Sequence, residues 1–113
     1  MGDKSQLFRG TLEGCILKII NDYEVYGYEI AEKLNAFGLD EISEGTIYPL
    51  LLRLEKNGLL SSQKRESSLG PKRKYYKLTN LGEEALREFF KTWQEIKNSI
   101  DRIFEDYGGD IYE

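Results

Sequence analysis

The sequence contains no histidine, a single cysteine (Cys15) and only two prolines among its 113 residues. The lack of histidine removes the side chain that most often serves as a general base at neutral pH and as a metal ligand. A lone cysteine can neither form an internal disulfide nor supply a thiolate cluster for zinc. We therefore expect a protein that is not an enzyme and that holds neither a metal ion nor another cofactor.

Long apolar stretches are also missing. No run approaches the roughly 18 residues that a membrane-spanning helix needs, and residues 1–8 lack the apolar region of a secretion signal. A hydrophobic content of 40% with 32% charged residues is typical of a globular chain, and 113 residues suit one domain. The composition predicts a cytoplasmic protein with a reduced thiol and no membrane partner.

The net charge of −4 is unevenly distributed. Residues 53–77 carry eight cations and two acids, a local charge of +6 that leaves −10 on the rest of the chain. A local positive surface attracts a polyanion even when the total charge is negative. A solvated run of charge is the alternative interpretation of such a segment.

Apolar residues recur at steps of three and four in three successive segments, which predicts three short amphipathic helices. Gly38 and Gly58 are placed to end the second and third helices in the left-handed conformation. Ser43 is a suitable N-cap for the third helix. Three such helices joined by tight connections predict a helix-turn-helix unit.

The next segment changes character. "LLSSQKRE" and "KRKYYKLT" are typical of strands, and "SSLGP" between them contains a Gly-Pro turn signal. The pattern predicts a basic hairpin in which Tyr75 and Tyr76 point to opposite faces. A helix-turn-helix followed by a basic hairpin is a winged helix, whose third helix enters the major groove while the hairpin lies along the phosphates.

The remaining residues predict one long helix capped by Thr79. Its apolar stripe consists of Leu81, Ala85, Phe89, Trp93, Ile96, Ile100 and Ile103. An isolated terminal helix cannot expose so much apolar surface without a partner, which predicts a homodimer. The predicted fold is mainly α with a small β-hairpin, divided into a winged helix-turn-helix domain (residues 1–78), a C-terminal dimerisation helix (79–107) and a frayed tail (108–113).

The candidate DNA contacts divide between the third helix and the hairpin. They are Ser43, Thr46, Tyr48 and Arg53 on the helix, and Lys64, Lys72, Arg73 and Lys74 on the hairpin. Hydroxyl groups can contact bases or phosphates, and exposed cations displace counterions from phosphates. The alternatives are that Ser43 only caps the helix, that Tyr48 packs inside, that Arg53 pairs with a glutamate and that the hairpin cations are merely solvated.

The candidate dimer interface joins the first helix to the last one. It comprises Leu12, Ile16, Phe89, Phe90, Trp93, Ile96 and Ile100. Two Trp93 indoles facing each other across a two-fold axis could hold a planar aromatic ligand by stacking, with Phe90 nearby and Glu13 favouring a cation. The alternative is that Trp93 only fills the interface.

The third helix contains Pro49, although a proline inside a helix costs roughly 3 kcal/mol or more. One hypothesis is that Pro49 tilts or stiffens the start of the helix so that Thr46 and Tyr48 point outward. The alternative is a tolerated proline without a role.

These segments resemble the PadR family of bacterial transcriptional regulators. The matching pieces are "RGTLEGCILKII", "YGYEIAEKL", "SEGTIYPLLLRLEKNGLL", "KRKYYKLTNLG" and the aromatic C-terminal helix. The resemblance implies a homodimeric winged-helix repressor with a small-molecule or stress input. The single tail helix is similar to that of the smaller PadR subgroup, whose multidrug-responsive repressors place a tail-helix tryptophan at the dimer centre, a position that Trp93 matches.

Two functions therefore compete. The first is a sequence-specific, homodimeric DNA-binding repressor whose partners are double-stranded DNA, a second copy and a planar aromatic ligand. The second is a winged-helix module that binds only an acidic protein partner. Salt-dependent binding to random duplex DNA separates the two, because it is expected only of the first.

Overall fold

The computed structural model describes residues 7–39, 42–67 and 69–107. A 3₁₀ turn at Arg9–Thr11 is followed by the helices and strands α1 (Leu12–Asp22), α2 (Gly27–Ala36), α3 (Glu44–Lys56), β1 (Leu60–Ser67), β2 (Gly70–Leu78) and α4 (Asn80–Tyr107). The predicted fold class is confirmed: the chain is mainly α, with one antiparallel hairpin and a long last helix. The predicted frayed tail at residues 108–113 lies outside the described residues.

The core forms where α1, α2 and α3 meet. Its largest fully buried side chains are Ile16, Ile30, Leu34, Ile47, Leu51 and Leu54. These residues follow the helical period of the sequence, so each helix turns one apolar face inward. The chain leaves α2 and α3 through Gly38 and Gly58, whose φ angles of +109° and +83° confirm the two predicted left-handed stops.

The hairpin is anchored in this core at its base. Leu60 pairs with Leu78 across the two strands, and both are buried together with Tyr76. The predicted turn was too long, since Ser67 already pairs with Gly70 and β2 begins there. Ser68, between the two strands in the sequence, lies outside the described residues.

A short extended segment before α2 adds to the hairpin. Tyr26 forms an isolated antiparallel bridge with Tyr75, and the backbone N–H of Tyr76 donates to the carbonyl of Val25 over 3.4 Å. The sequence pattern does not predict this contact, because two extended residues are too few to show a strand period. It ties β2 to the start of α2.

One residue, Thr79, joins the hairpin to α4. Its hydroxyl accepts a hydrogen bond from the backbone N–H of Gly82 over 3.0 Å, which confirms Thr79 as the N-cap of α4. The same hydroxyl donates to the carbonyl of Gly58 over 2.6 Å, and the N–H of Thr79 donates to the carbonyl of Leu59. The start of α4 is thus bonded to the end of α3.

The first turns of α4 pack on α1 through a close approach at Gly14. A Cβ atom at Gly14 would lie 2.3 Å from Cγ of Phe89, so only glycine leaves room for the ring. Beyond Phe89 the apolar stripe of α4 is exposed in the single chain, as at Phe90, Trp93, Ile96 and Ile100. Only the beginning of α4 therefore belongs to the core of its own chain.

We predict that Gly14→Ala destabilises the protein by about 1–3 kcal/mol, because the added methyl group displaces Phe89 from α1. The loss occurs although alanine is the better helix former. Thermal unfolding followed by circular dichroism measures the effect as a fall in Tm of several degrees. Gly10→Ala is the control, since a Cβ there meets nothing within 4 Å; a Tm that rises in the Gly14 variant contradicts the prediction.

Candidate nucleic-acid interface

The start of α3 presents two exposed hydroxyl groups. Ser43 occupies the N-cap position in an extended conformation, and its carbonyl accepts from the backbone N–H of Thr46 over 3.0 Å. Its side chain makes no capping bond; instead the Ser43 and Thr46 hydroxyl oxygens lie 3.4 Å apart. Ser43 is therefore the N-cap by backbone position only, and its hydroxyl points with that of Thr46 to the exterior.

Tyr48 combines both interpretations of its side chain. The ring lies against the start of α2, where a Cβ atom at Gly27 would approach Tyr48 Cε1 to 2.8 Å. Even so, 44% of the residue is exposed. Tyr48 thus packs one edge of its ring against α2, while nearly half of the residue stays exposed.

Pro49 follows on the exposed side of α3. A proline lacks the N–H that would bond the carbonyl four residues earlier, which belongs to Gly45. Gly45 is exposed as well, so that carbonyl can be solvated and the proline costs less than it would in a buried helix. The exposed location therefore makes Pro49 tolerable inside the helix.

Arg53 pairs with a glutamate of its own chain. Its Nε donates to Oε2 of Glu13 over 2.8 Å, and its Nη2 contacts the same oxygen. The pair joins α3 to α1. Glu13, the predicted neighbour of a cationic ligand, thus already has a cation beside it.

One face of the hairpin, here called the inner face, turns toward Glu55 of α3. It carries Lys64 and Lys74, which lie opposite each other on the two strands. Lys74 Nζ is 2.9 Å from Oε1 of Glu55 in the last turn of α3. The other carboxylate oxygen of Glu55 accepts from the Ser62 hydroxyl over 2.6 Å. The Ser62 hydrogen bond first, and then the one from Lys74, hold the pKa of Glu55 below its usual range.

The outer face is built from arginine and tyrosine side chains. Arg65 and Arg73 lie opposite each other on the two strands. The Arg65 guanidinium carbon is 4.3 Å from the centroid of the Tyr75 ring, and that of Arg73 is 4.4 Å from the centroid of Tyr26. The two rings meet edge to face, with centroids 5.5 Å apart. The tyrosines thus support both guanidinium groups.

The remaining acidic partners of the hairpin cations are more exposed. Arg65 also donates to Glu24 over 3.0 Å, a hydrogen bond that lowers the pKa of Glu24. Lys72 lies 3.5 Å from Glu66, and both side chains are mostly exposed. Within the described ranges, Lys64 and Lys77 form no ion pair.

The structure joins the last turn of α3 to the hairpin through Glu55, whereas Arg53 pairs with Glu13 on α1. Sequence reasoning missed Tyr26 and the bridging role of Glu55. Glu55 had a signal, because it is one of only two acids among the eight cations of residues 53–77. Nothing in the sequence indicated Tyr26, since its partner Tyr75 lies about fifty residues away.

An apolar groove of about 510 Å³ lies between α1, the end of α2 and α4. Cys15, Ile19, Phe37, Phe89 and Phe90 contribute to its walls. Burial raises the pKa of the Cys15 thiol. Trp93 lies one turn beyond Phe89 on α4 and is 40% exposed.

Two residues of the predicted dimer interface must be corrected. Leu12 is 6% exposed and Ile16 is fully buried, and both belong to the core of the single chain. The helical period showed which face of α1 is apolar, but it could not show whether its own chain or a partner covers that face. The structure assigns it to the core of its own chain.

Among the described residues, no group of cysteine, aspartate and glutamate side chains could hold a metal ion. None of the helices in the same residues is long and apolar enough to cross a membrane.

Comparison with known proteins agrees with this geometry. Residues 16–88 match the model of the transcriptional regulator PadR-like family. The chain belongs to the PadR-like family. It is accordingly a DNA-binding transcriptional regulator and not an enzyme.

Solved structures of PadR-like and other transcriptional regulators share its fold. A PadR-like regulator from Bacillus cereus is 49% identical with a TM-score of 0.80, and the match covers 88% of this chain and 96% of that one. A transcriptional regulator from Streptococcus is 43% identical with a TM-score of 0.78, and the match covers 88% of this chain and 98% of that one.

Two further relatives are similar to the chain in sequence. An uncharacterised protein from Lysinibacillus sphaericus is 38% identical over 107 residues, which are 90% of this chain and 95% of the relative. A transcriptional regulator from Mycobacterium tuberculosis is 36% identical over 92 residues, which are 81% of this chain and 84% of the relative. Both matches extend over most of the PadR-like chain.

Proposed function

We propose that the protein is a cytoplasmic, homodimeric repressor that binds a specific DNA sequence through α3 and the hairpin. The proposal is carried by one observation, the exposed hydroxyls at the start of α3 beside a hairpin with cations on both strands. A helix of this kind fits the major groove, where Ser43, Thr46 and Tyr48 reach base edges or phosphates. Repression follows if the bound site overlaps a promoter.

On the hairpin, we assign phosphate contacts to Lys64, Lys72 and Arg73. Lys64 has no ion pair within the described residues, Lys72 has only a long and exposed one, and Tyr26 holds Arg73 in place without neutralising it. Arg53 and Lys74 are the sequence-predicted candidates whose charges are already balanced by Glu13 and Glu55.

We further propose that residues 1–78 form the DNA-binding domain and residues 79–107 the dimerisation helix. The supporting observation is the exposed half of α4, where Trp93, Ile96 and Ile100 present a continuous apolar stripe. A second copy of the chain covers this stripe by two-fold symmetry. The two α3 helices then lie about 34 Å apart, one turn of DNA, and read a pseudo-palindrome.

A planar aromatic molecule is the proposed ligand of the dimer. Phe90 borders the apolar groove and Trp93 follows one turn later, so both rings lie where the two copies meet. A flat ligand between two indoles gains stacking and dispersion. Because Glu13 is bound to Arg53, we assign ligand binding to the aromatic residues.

The hairpin assignment predicts a change in salt dependence. In a Lys72→Ala/Arg73→Ala variant, binding to a random-sequence duplex weakens, and the slope of log K against log[salt] falls in size by up to about 1.8, since each phosphate contact contributes about 0.9. Fluorescence anisotropy at a series of KCl concentrations measures both effects.

The matched control for this variant is Lys91→Ala/Arg102→Ala, which removes the same charge from exposed positions of α4. An unchanged slope in the hairpin variant overturns the assignment. Weak, salt-independent binding of the wild-type protein favours the alternative function, a module that docks an acidic protein.

The dimer proposal predicts a mass near twice the 13.1 kDa of the chain in sedimentation equilibrium at micromolar concentration. Ile96→Asp places an unpaired carboxylate in the interface twice, and we expect dimer dissociation to become more favourable by roughly 3 kcal/mol or more, over a hundredfold in Kd. Lys91→Asp introduces the same group on the same helix and is the control. A wild-type protein that stays monomeric contradicts the proposal.

The ligand proposal predicts that a planar cationic dye quenches the fluorescence of Trp93, which is the sole tryptophan. Phe90→Ala should weaken dye binding severalfold, because one wall of the slot is lost. Dye anisotropy reports binding independently of the tryptophan. If anisotropy shows saturation while Trp93 stays unquenched, the dye binds elsewhere and the stacking slot is ruled out.

A further inference from the structure

We propose that Glu55 is a positioning residue of the DNA-binding surface, which fixes the hairpin against α3 and withholds Lys74 from phosphate binding. The inference rests on the proposed DNA-binding function and concerns specificity rather than affinity. It assigns a role to an acid that stands inside the most basic segment of the chain.

The geometry is that of one carboxylate joining three elements. Glu55 lies in the last turn of α3, its Oε2 accepts from Ser62 on β1 over 2.6 Å, and its Oε1 lies 2.9 Å from Lys74 Nζ on β2. Hydrogen bonds to a charged group are about twice as strong as neutral ones. A rotation of the hairpin away from α3 breaks both bonds at once.

This ion pair is the most enclosed one in the basic segment. The side chains of Lys74 and Glu55 are 35% and 31% exposed, whereas those of Lys72 and Glu66 are 60% and 84% exposed. Enclosed pairs are less screened by salt than exposed ones. The pair with Glu55 also raises the pKa of Lys74, so both groups stay charged near neutral pH.

Glu55 also offsets a repulsion within the hairpin. Lys64 and Lys74 face each other across the strands, an arrangement of like charges that destabilises a sheet. With Lys74 neutralised, Lys64 can contact phosphate from this face without a second cation competing for the same position. Glu55 therefore limits the number of cations that bind the phosphates of DNA irrespective of its sequence.

This limit matters because phosphate contacts position a protein on DNA while base contacts specify the site. An additional unpaired cation strengthens binding to every sequence by about one counterion. A hairpin loosened from α3 also stops holding that helix in a single orientation in the groove. Both changes reduce the ratio of specific to non-specific affinity.

The test compares two duplexes, a random sequence and an operator recovered by sequencing genomic fragments that the wild-type protein retains. Glu55→Gln keeps an acceptor for Ser62 but removes the charge that holds Lys74. We expect its salt slope on the random duplex to steepen by about 0.9. The ratio of operator to random affinity should fall roughly three- to tenfold.

The double variant Glu55→Gln/Lys74→Gln removes the ion pair without changing the local net charge, and we expect the wild-type salt slope. A slope flatter by about one shows that Lys74 contacts phosphate in the wild type and overturns the proposal. Glu95→Gln, an exposed change on α4, controls for the lost negative charge, and Ser62→Ala, which leaves the ion pair intact, should keep the wild-type slope.

Two outcomes separate this inference from the proposed function. If Glu55→Gln weakens binding to both duplexes equally with an unchanged slope, Glu55 is merely structural and the inference fails while DNA binding stands. If the wild-type protein shows no salt-dependent binding to either duplex, the proposed function itself fails. Circular dichroism melting of each variant establishes that it is folded before binding is compared.

Discussion

The burial of the base of the hairpin in the helical core is the constraint on which the rest of the structure depends. Leu60, Tyr76 and Leu78 are buried with the apolar faces of α1, α2 and α3. Residues alternate between the faces of a strand, so fixing these three fixes the direction of the hairpin side chains as far as the pairing of Arg65 with Arg73, beyond which the register shifts. Ser62, Lys64 and Lys74 therefore face α3, while Arg65, Arg73 and Tyr75 face the start of α2.

The hairpin cations are consequently divided into restrained and available groups. Carboxylates of the chain hold Lys74 and Arg65, whereas Lys64 and Lys77 have no ion pair in the described part of the chain. Each restrained charge contributes little stability by itself at such exposure. Its importance lies in the geometry of the surface, because each of these ion pairs holds the hairpin against a neighbouring part of the chain.

The sequence predicted the elements well because each carries a local signal. The helical period marked the core faces, Gly38 and Gly58 marked the helix ends, and Thr79 marked the start of α4. The contacts between distant elements had no such signal. The pairing of Arg53 with Glu13 spans forty residues and the bridge from Tyr26 to Tyr75 nearly fifty, so only the folded chain reveals them.

The two first-helix residues of the predicted dimer interface show the same limit of sequence-based prediction. Leu12 and Ile16 belong to an apolar face whose existence follows from the sequence, but one face can be covered by the same chain or by another. The apolar stripe of α4 is long enough to exceed what its own chain covers, and length along one helix is a local property. The exposed apolar surface near Trp93 was therefore predictable from the sequence. Which chain covers the apolar face of α1 was not.

The joint at Thr79 has a mechanical consequence. A single residue separates the last paired position of β2 from the first turn of α4, and its hydroxyl is bonded to both Gly58 and Gly82. At 1.5 Å per residue, α4 is an arm of about 42 Å attached to the hairpin without slack. A tilt of about five degrees at its pivot moves the far end by roughly 4 Å, so the arm and the hairpin can change direction only together.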